Sequence, residues 1–196
     1  MRPLSVIVYG DALLAPEARP GLPEILTAAF TTRMAAMSRP VVNAAPPDAN
    51  GFPAVARAIG ADTRRGAGWT AVLVVTHADG KSDRVAPTDL GTFVAQSVEH
   101  LLARSFEEVI VVGPTGGGVL PGRRAAVGYG SYARWARRAD KALAWTSSGY
   151  GPRVEYVSTL ELPQDQTRDG IRPLPVGWKW VAERVADAVV RVVGAS

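Results

Sequence analysis

The residues of this chain that could do chemistry sit just beyond its apolar runs. Asp11 follows the run Leu4 to Tyr9 and a glycine. His77 and Asp79 follow the run Thr70 to Thr76. Asp169 and Arg172 fall immediately before a C-terminal helical pattern. A histidine near its ordinary pKa can take or give a proton at neutral pH, and a carboxylate two residues away is the kind of group that orients such a base. Plainer roles exist for each. A strand-end histidine can simply hydrogen-bond its neighbours, Asp11 can support a turn, and Asp169 with Arg172 can be a local ion pair. In its sharper role Arg172 is a guanidinium fork for a carboxylate or a phosphate. His100 lies within a helical pattern, between charged and apolar neighbours, and is read as surface or structural.

Composition removes several chemistries. The chain has no cysteine, which excludes disulfides, thiolate catalysis and thiol-ligated metals. No His, Asp or Glu spacing matches a metal site, so no metal and no cofactor is expected. The run Pro114 to Gly118 is rich in glycine but lacks the Gly-Lys-Ser/Thr ending of a P-loop and the spaced glycines of a dinucleotide fingerprint. The net charge is +4, and Lys81, Lys141 and Lys179 are the only lysines beside many arginines. The abundance of Ala, Arg, Gly, Val and Pro reads as codon usage in a GC-rich genome. Arg64-Arg65, Arg123-Arg124 and Arg137-Arg138 are scattered over different segments, so no nucleic-acid partner is expected. No signal-peptide pattern and no apolar stretch of membrane-spanning length occurs, so no membrane partner is expected and the location is read as cytoplasmic.

The elements that must position these residues follow from periodicity. Short apolar runs at Leu4 to Tyr9, Pro40 to Asn43, Thr70 to Thr76, Glu108 to Gly113 and Arg153 to Ser158 are mostly rich in Val or Ile, as strands covered on both faces are. Between and after them, helical spacing marks Gly21 to Met37, Phe52 to Gly60, Thr88 to Arg104, Tyr129 to Thr146 and Val176 to Val193. The third helix is expected to be capped by Thr88 or Asp89, with Phe93, Val94, Val98, Leu101 and Leu102 as its apolar stripe. Strand and helix thus alternate five times, which predicts one α/β domain over residues 1–196, a parallel sheet between two helical layers. In such sheets ligands bind at the carboxyl ends of the strands, near the point where strand order reverses. The Pro- and Gly-rich loops Asn43 to Gly51 and Gly113 to Gly128 are candidates for a pocket mouth.

Two blocks resemble the first and last signatures of the SGNH/GDSL esterase and lipase family. Gly10-Asp11-Ala12-Leu13-Leu14 is similar to Gly-Asp-Ser-Leu, and Asp169-Gly170-Ile171-Arg172-Pro173 is similar to Asp-Gly-x-His-Pro, with Gly177 matching a glycine usual in the following helix. Val41-Val42-Asn43-Ala44-Ala45 resembles the second block, and Thr76-His77-Ala78-Asp79 occupies the place of the third. The resemblance implies a three-layer α/β/α fold with a five-stranded parallel sheet, the flavodoxin-like SGNH-hydrolase architecture, over nearly the whole chain. It also implies that Ala12 replaces the nucleophilic serine, Ala45 the oxyanion glycine, Ala78 the oxyanion asparagine and Arg172 the catalytic histidine. Alanine cannot form an acyl-enzyme, and arginine stays protonated and cannot act as a base. Loss of an oxyanion side chain weakens such a site by about 3 kcal/mol. The backbone amides of Ala12 and Ala45 remain available to bind an anion.

Two functional readings follow. The first is a repurposed enzyme that binds an anionic small molecule through Arg172, with Ala12, Ala45 and Ala78 lining the pocket. His77, Asp11, Asp79 or Asp169 would then move protons in a cyclisation, elimination or isomerisation. The style of the sequence is compatible with bacterial specialised metabolism. The second is a catalytically inactive relative whose pocket binds a small molecule or a partner protein. Nothing in the sequence fixes the oligomeric state.

Overall fold

A computed structural model describes residues 5–10, 22–33, 42–43, 52–63, 68–75, 85–115, 129–167, 170–171 and 173–195. Five strands, β1 Ser5–Tyr9, β2 Val42–Asn43, β3 Trp69–Val74, β4 Glu108–Val112 and β5 Val154–Val157, pair throughout in parallel. Their order is β2-β1-β3-β4-β5. Helices α1 Leu22–Arg33, α2 Phe52–Ala61, α3 Pro87–Ala103, α4 Tyr129–Ser148 and α5 Pro175–Ala195 alternate with them. The expected three-layer α/β/α architecture is the one observed.

Strand side chains divide between two apolar layers with the period of two that a pleated backbone imposes. Ile7, Tyr9, Ala71, Leu73, Val109 and Val111 pack with α2, α3 and α4. Val6, Val8, Val72, Val74, Ile110 and Val112 pack with α1 and α5. Because both faces are covered, the sequence shows continuous Val/Ile runs rather than alternation. The stripe on α3 places Val94, Val98 and Leu101 in the core, while Phe93 and Leu102 are half-buried against it. On α5, Val181, Val185, Val189 and Val192 do the same on the other face.

Element ends shift by a residue or two from expectation, and the start of α3 differs for a physical reason. Neither Thr88 nor Asp89 caps it. The N-cap is Ala86, which has extended backbone and no capping side chain. Pro87 then opens the helix, where its fixed φ suits the first turn and its missing N–H costs nothing. The amide of Leu90 donates to the Ala86 carbonyl at 3.1 Å.

The amino-terminal edge of the sheet is fastened by side chains. The Thr70 hydroxyl donates to Glu108 Oε2 at 2.8 Å in a buried setting. Arg153 donates to the carbonyls of Glu107 and Phe106 at 3.0 and 2.6 Å. Arg104 donates to the Ile59 carbonyl at 2.9 Å. These bonds fix the register in which the opposite, carboxyl edge presents its loops.

Candidate functional site

At the carboxyl edge, the strand order reverses between β1 and β3. The chain passes from β1 outward to β2, and all later strands lie on the other side. The first three blocks singled out in the sequence therefore leave from three neighbouring strands. Gly10 follows β1 and is buried, Asn43 ends β2, and the buried Val75 follows β3. With parallel strands spaced by roughly 4.8 Å, those three departures lie within about 10 Å of one another. Register agrees, since Val8 pairs with Asn43 and Tyr9 with Leu73.

The eight residues proposed from the sequence, Asp11, Ala12, Ala45, His77, Ala78, Asp79, Asp169 and Arg172, all lie outside the described residues. Most of the two Pro- and Gly-rich loops does so as well. What the structure describes is the frame that leads into them.

The frame is most complete around the last block. Thr167 pairs with Pro173 in an antiparallel bridge. The Thr167 hydroxyl donates to the Gln164 carbonyl at 2.7 Å and accepts from the Gly170 amide at 3.0 Å. Gly170 is buried with φ at 83°, a left-handed conformation that favours glycine. The Leu174 amide donates to the Gln166 carbonyl at 2.8 Å. A Cβ on Gly177 would come within 2.5 Å of that same carbonyl oxygen, which accounts for glycine in the first turn of α5. A longer-range bond then ties this turn to the sheet. The buried Thr115 hydroxyl, just past β4, donates to the Ile171 carbonyl at 2.8 Å. The residue beside Arg172 is thereby held at the carboxyl end of β4, across 56 positions of sequence.

The third block is also framed at its return. The chain re-enters the described structure at Val85, whose carbonyl accepts from the Trp135 indole of α4 at 2.7 Å. One turn earlier, the Tyr132 hydroxyl donates to the Thr115 carbonyl at 2.5 Å. Helix α4 thus touches the loop after β4 and the far end of the segment that carries His77 and Asp79.

Beneath Thr115 lies a polar cluster that sequence reasoning missed. The carboxylate of Asp140, on α4, accepts from the Tyr156 hydroxyl at 2.6 Å and from the Ser158 hydroxyl at 2.7 Å, both on the same oxygen. The Thr159 hydroxyl donates to the buried Gly113 carbonyl at 2.9 Å. A signal was present in the sequence. Asp140 stands four residues after Ala136 and seven after Ala133, both on the buried face of α4. Helical spacing therefore turns Asp140 toward the sheet.

Burial, and then the Asp140 carboxylate as acceptor and as a nearby negative charge, push the Tyr156 phenol well above its ordinary 10.0. The folded state keeps a proton that the unfolded chain releases above pH 10.0, so folding stability contributed here is intact below that value and falls as pH rises above it. Alkaline denaturation curves for the parent and for Tyr156→Phe check this. The variant, less stable at pH 8, is expected to show the shallower decline with pH. Parallel curves would exclude the phenol as the group responsible.

Trp178 is a core residue, 4% exposed. Trp180 is half-buried, with the Arg184 guanidinium 4.6 Å from its ring centre. His100 is exposed near the end of α3, where it borders a shallow depression with Ile59, Phe93 and Gln96. That depression lies toward the amino edge, away from the switch point. Among the described residues, no three His, Asp or Glu side chains are grouped to hold a metal ion.

No family model matches this chain, and no curated protein matches it. Solved structures do. A member of the lipolytic protein G-D-S-L family from Veillonella parvula superposes with a TM-score of 0.70 at 11% identity, over 96% of this chain and 99% of that one. TesA gives 0.68 at 17% identity, over 96% and 99%. The native M. smegmatis aryl esterase gives 0.61 at 12% identity, over 98% and 99%.

Proposed function

Starting from a chain with the SGNH-hydrolase fold, we propose that this protein is a repurposed, non-hydrolytic enzyme of that fold acting on an anionic small molecule. Ala12 takes the nucleophile's place and Arg172 the base's. The bond that supports this reading is the one from Thr115 to the Ile171 carbonyl. It builds the last block onto the carboxyl edge of the sheet, beside the switch point where ligands of such sheets bind. An arginine carried by this turn offers a fixed positive charge and a two-pronged donor where the esterases need a neutral base.

In this reading Arg172 binds and orients a carboxylate or phosphate, and the amides of Ala12 and Ala45 add donors. His77, Asp79 or Asp11 moves a proton on the bound substrate. Cyclisation, elimination and isomerisation fit, because each can proceed by proton transfer without an acyl-enzyme. A setting in bacterial specialised metabolism would supply such substrates.

The test is incubation of the protein with a small-molecule extract of its source, followed by mass spectrometry. The control is the variant carrying Arg172→Ala and His77→Ala. Species consumed and formed with the parent alone are expected. Enrichment of an unchanged compound on the parent would replace the enzymatic reading with a binding one. No difference between parent and variant would remove both.

A further inference from the structure

The solvent face of α4 carries a row of exposed cations that ends in an exposed indole. Arg134, Arg138, Lys141 and Trp145 are all exposed and follow one another at steps of four, three and four. That spacing sets them in one line along the helix. Arg137 is exposed beside this line. From Arg134 to Trp145 the line runs about 16 Å. The indole of Trp145 is 82% exposed and is the largest bare hydrophobic group on the described surface. Single exposed apolar side chains are commonplace, but this one closes a row of cations.

Among the described residues, no ion pair ties Arg134, Arg138 or Lys141 to a carboxylate. The one carboxylate in α4, Asp140, turns inward to Tyr156 and Ser158. Exposed carboxylates occur on α3, at Asp89 and Glu99, and Glu99 accepts from the Tyr150 hydroxyl just past the end of α4 at 3.1 Å. Helix α4 packs against α3 and β5, and β5 is the last strand of the sheet. Its outer face is therefore a convex corner of the molecule.

We propose that this face of α4 is a docking surface for an anionic phospholipid bilayer. A straight ridge on a convex corner can lay all its side chains against a plane at once. A single nucleic-acid strand is held in a positively charged groove with several aromatic side chains for successive bases to stack on, whereas this face is a ridge with one. Arginine and lysine at a helix surface meet anionic headgroups, and tryptophan is the side chain most at home between headgroup and acyl chain. Three cations and one indole, with no lipid chain, give reversible, salt-sensitive binding. No membrane is expected from the sequence because it has no apolar stretch of spanning length, and no described helix is long and apolar enough to cross one. Contact with a bilayer surface requires neither.

Co-sedimentation of the full chain at low salt tests the assignment. Vesicles of phosphatidylcholine alone are compared with vesicles of equal parts phosphatidylcholine and phosphatidylserine. The parent is expected to bind the second and not the first. Each cation near such a surface adds about fivefold to binding, so Arg138→Gln with Lys141→Gln is expected to lower it about thirtyfold. Trp145→Ala is expected to lower it further in the same background. The control, Arg57→Gln with Lys179→Gln, removes the same charge from exposed positions on α2 and α5 and is expected to stay near the parent. All these positions are exposed, and circular dichroism verifies that each variant is folded. Failure of the parent to bind the mixed vesicles, or equal losses in the control, would overturn the assignment. So would tighter binding to a single-stranded DNA oligonucleotide at the same salt, which would make the ridge a nucleic-acid surface.

Discussion

Arg172→Gln is expected to weaken binding of a small carboxylate or phosphate by a hundredfold or more. A guanidinium holding such a group makes two charge-assisted hydrogen bonds, each contributing roughly 1.5–3 kcal/mol. Glutamine keeps a donor but loses the charge and the fork, and a loss of about 3 kcal/mol corresponds to more than a hundredfold in Kd. Arg172→Lys separates the two contributions. It restores charge without the planar fork, so it is expected to recover only part of the affinity. The measurement is calorimetric titration with succinate, citrate and inorganic phosphate, alongside thermal unfolding with and without each anion. An arginine that only pairs with Asp169 predicts something else. Arg172→Gln would then lower the melting temperature while leaving the response to anions as in the parent. That second pattern would remove the anion pocket and leave a structural ion pair before α5.

Gly113→Ala is expected to cost about 2–6 kcal/mol of stability. A Cβ at this position would lie 2.1 Å from the Tyr156 hydroxyl oxygen and 2.9 Å from the ring carbon bearing it. Tyr156 has little freedom to withdraw, because its hydroxyl is bonded to Asp140 at 2.6 Å. Overpacking of this kind costs roughly 1–3 kcal/mol. A broken bond to a buried carboxylate adds about 1–3 kcal/mol more. Urea denaturation of Gly113→Ala, Tyr156→Phe and the double variant gives the decisive comparison. Removing the hydroxyl relieves the closest contact, so the double variant is expected to be more stable than the sum of the single losses by about 1 kcal/mol. Strict additivity would show that the glycine and the phenol do not press on one another. The same experiment reports on the site, because Gly113 leads directly to Thr115 and its bond to Ile171.

The strands and helices were legible in the sequence because their signals are local. The Val-rich runs at Val6 to Val8, Val72 to Val74 and Val109 to Val112 are covered on both faces, and they show it by having no polar alternation. The stripe Val94, Val98 and Leu101 marks the buried side of α3 within one helix. The start of that helix differs from expectation because Thr88 and Asp89 have the composition of a cap but lie inside the first turn. Pro87, one position earlier, constrains the backbone more strongly than a side chain can.

The candidate site was legible only as an order of blocks. Asp11, Ala45 and His77 each follow a strand, and Asp169 with Arg172 precedes the last helix; that much is written in the chain. The sequence by itself determined the residue types: alanine at position 12, arginine at position 172, and the alternation of strands and helices that makes an α/β layer structure the stable solution. Only the tertiary structure decided that β1, β2 and β3 end side by side, that Thr115 holds the turn containing Gly170 and Ile171, and that Asp140 faces Tyr156 while Trp145 faces solvent. Periodicity reports which side of an element is buried, since it depends on neighbours three or four residues away. It carries no distance between elements. A bond between Thr115 and Ile171 depends on strand order and on the register of the whole sheet, set by many weak contacts acting together.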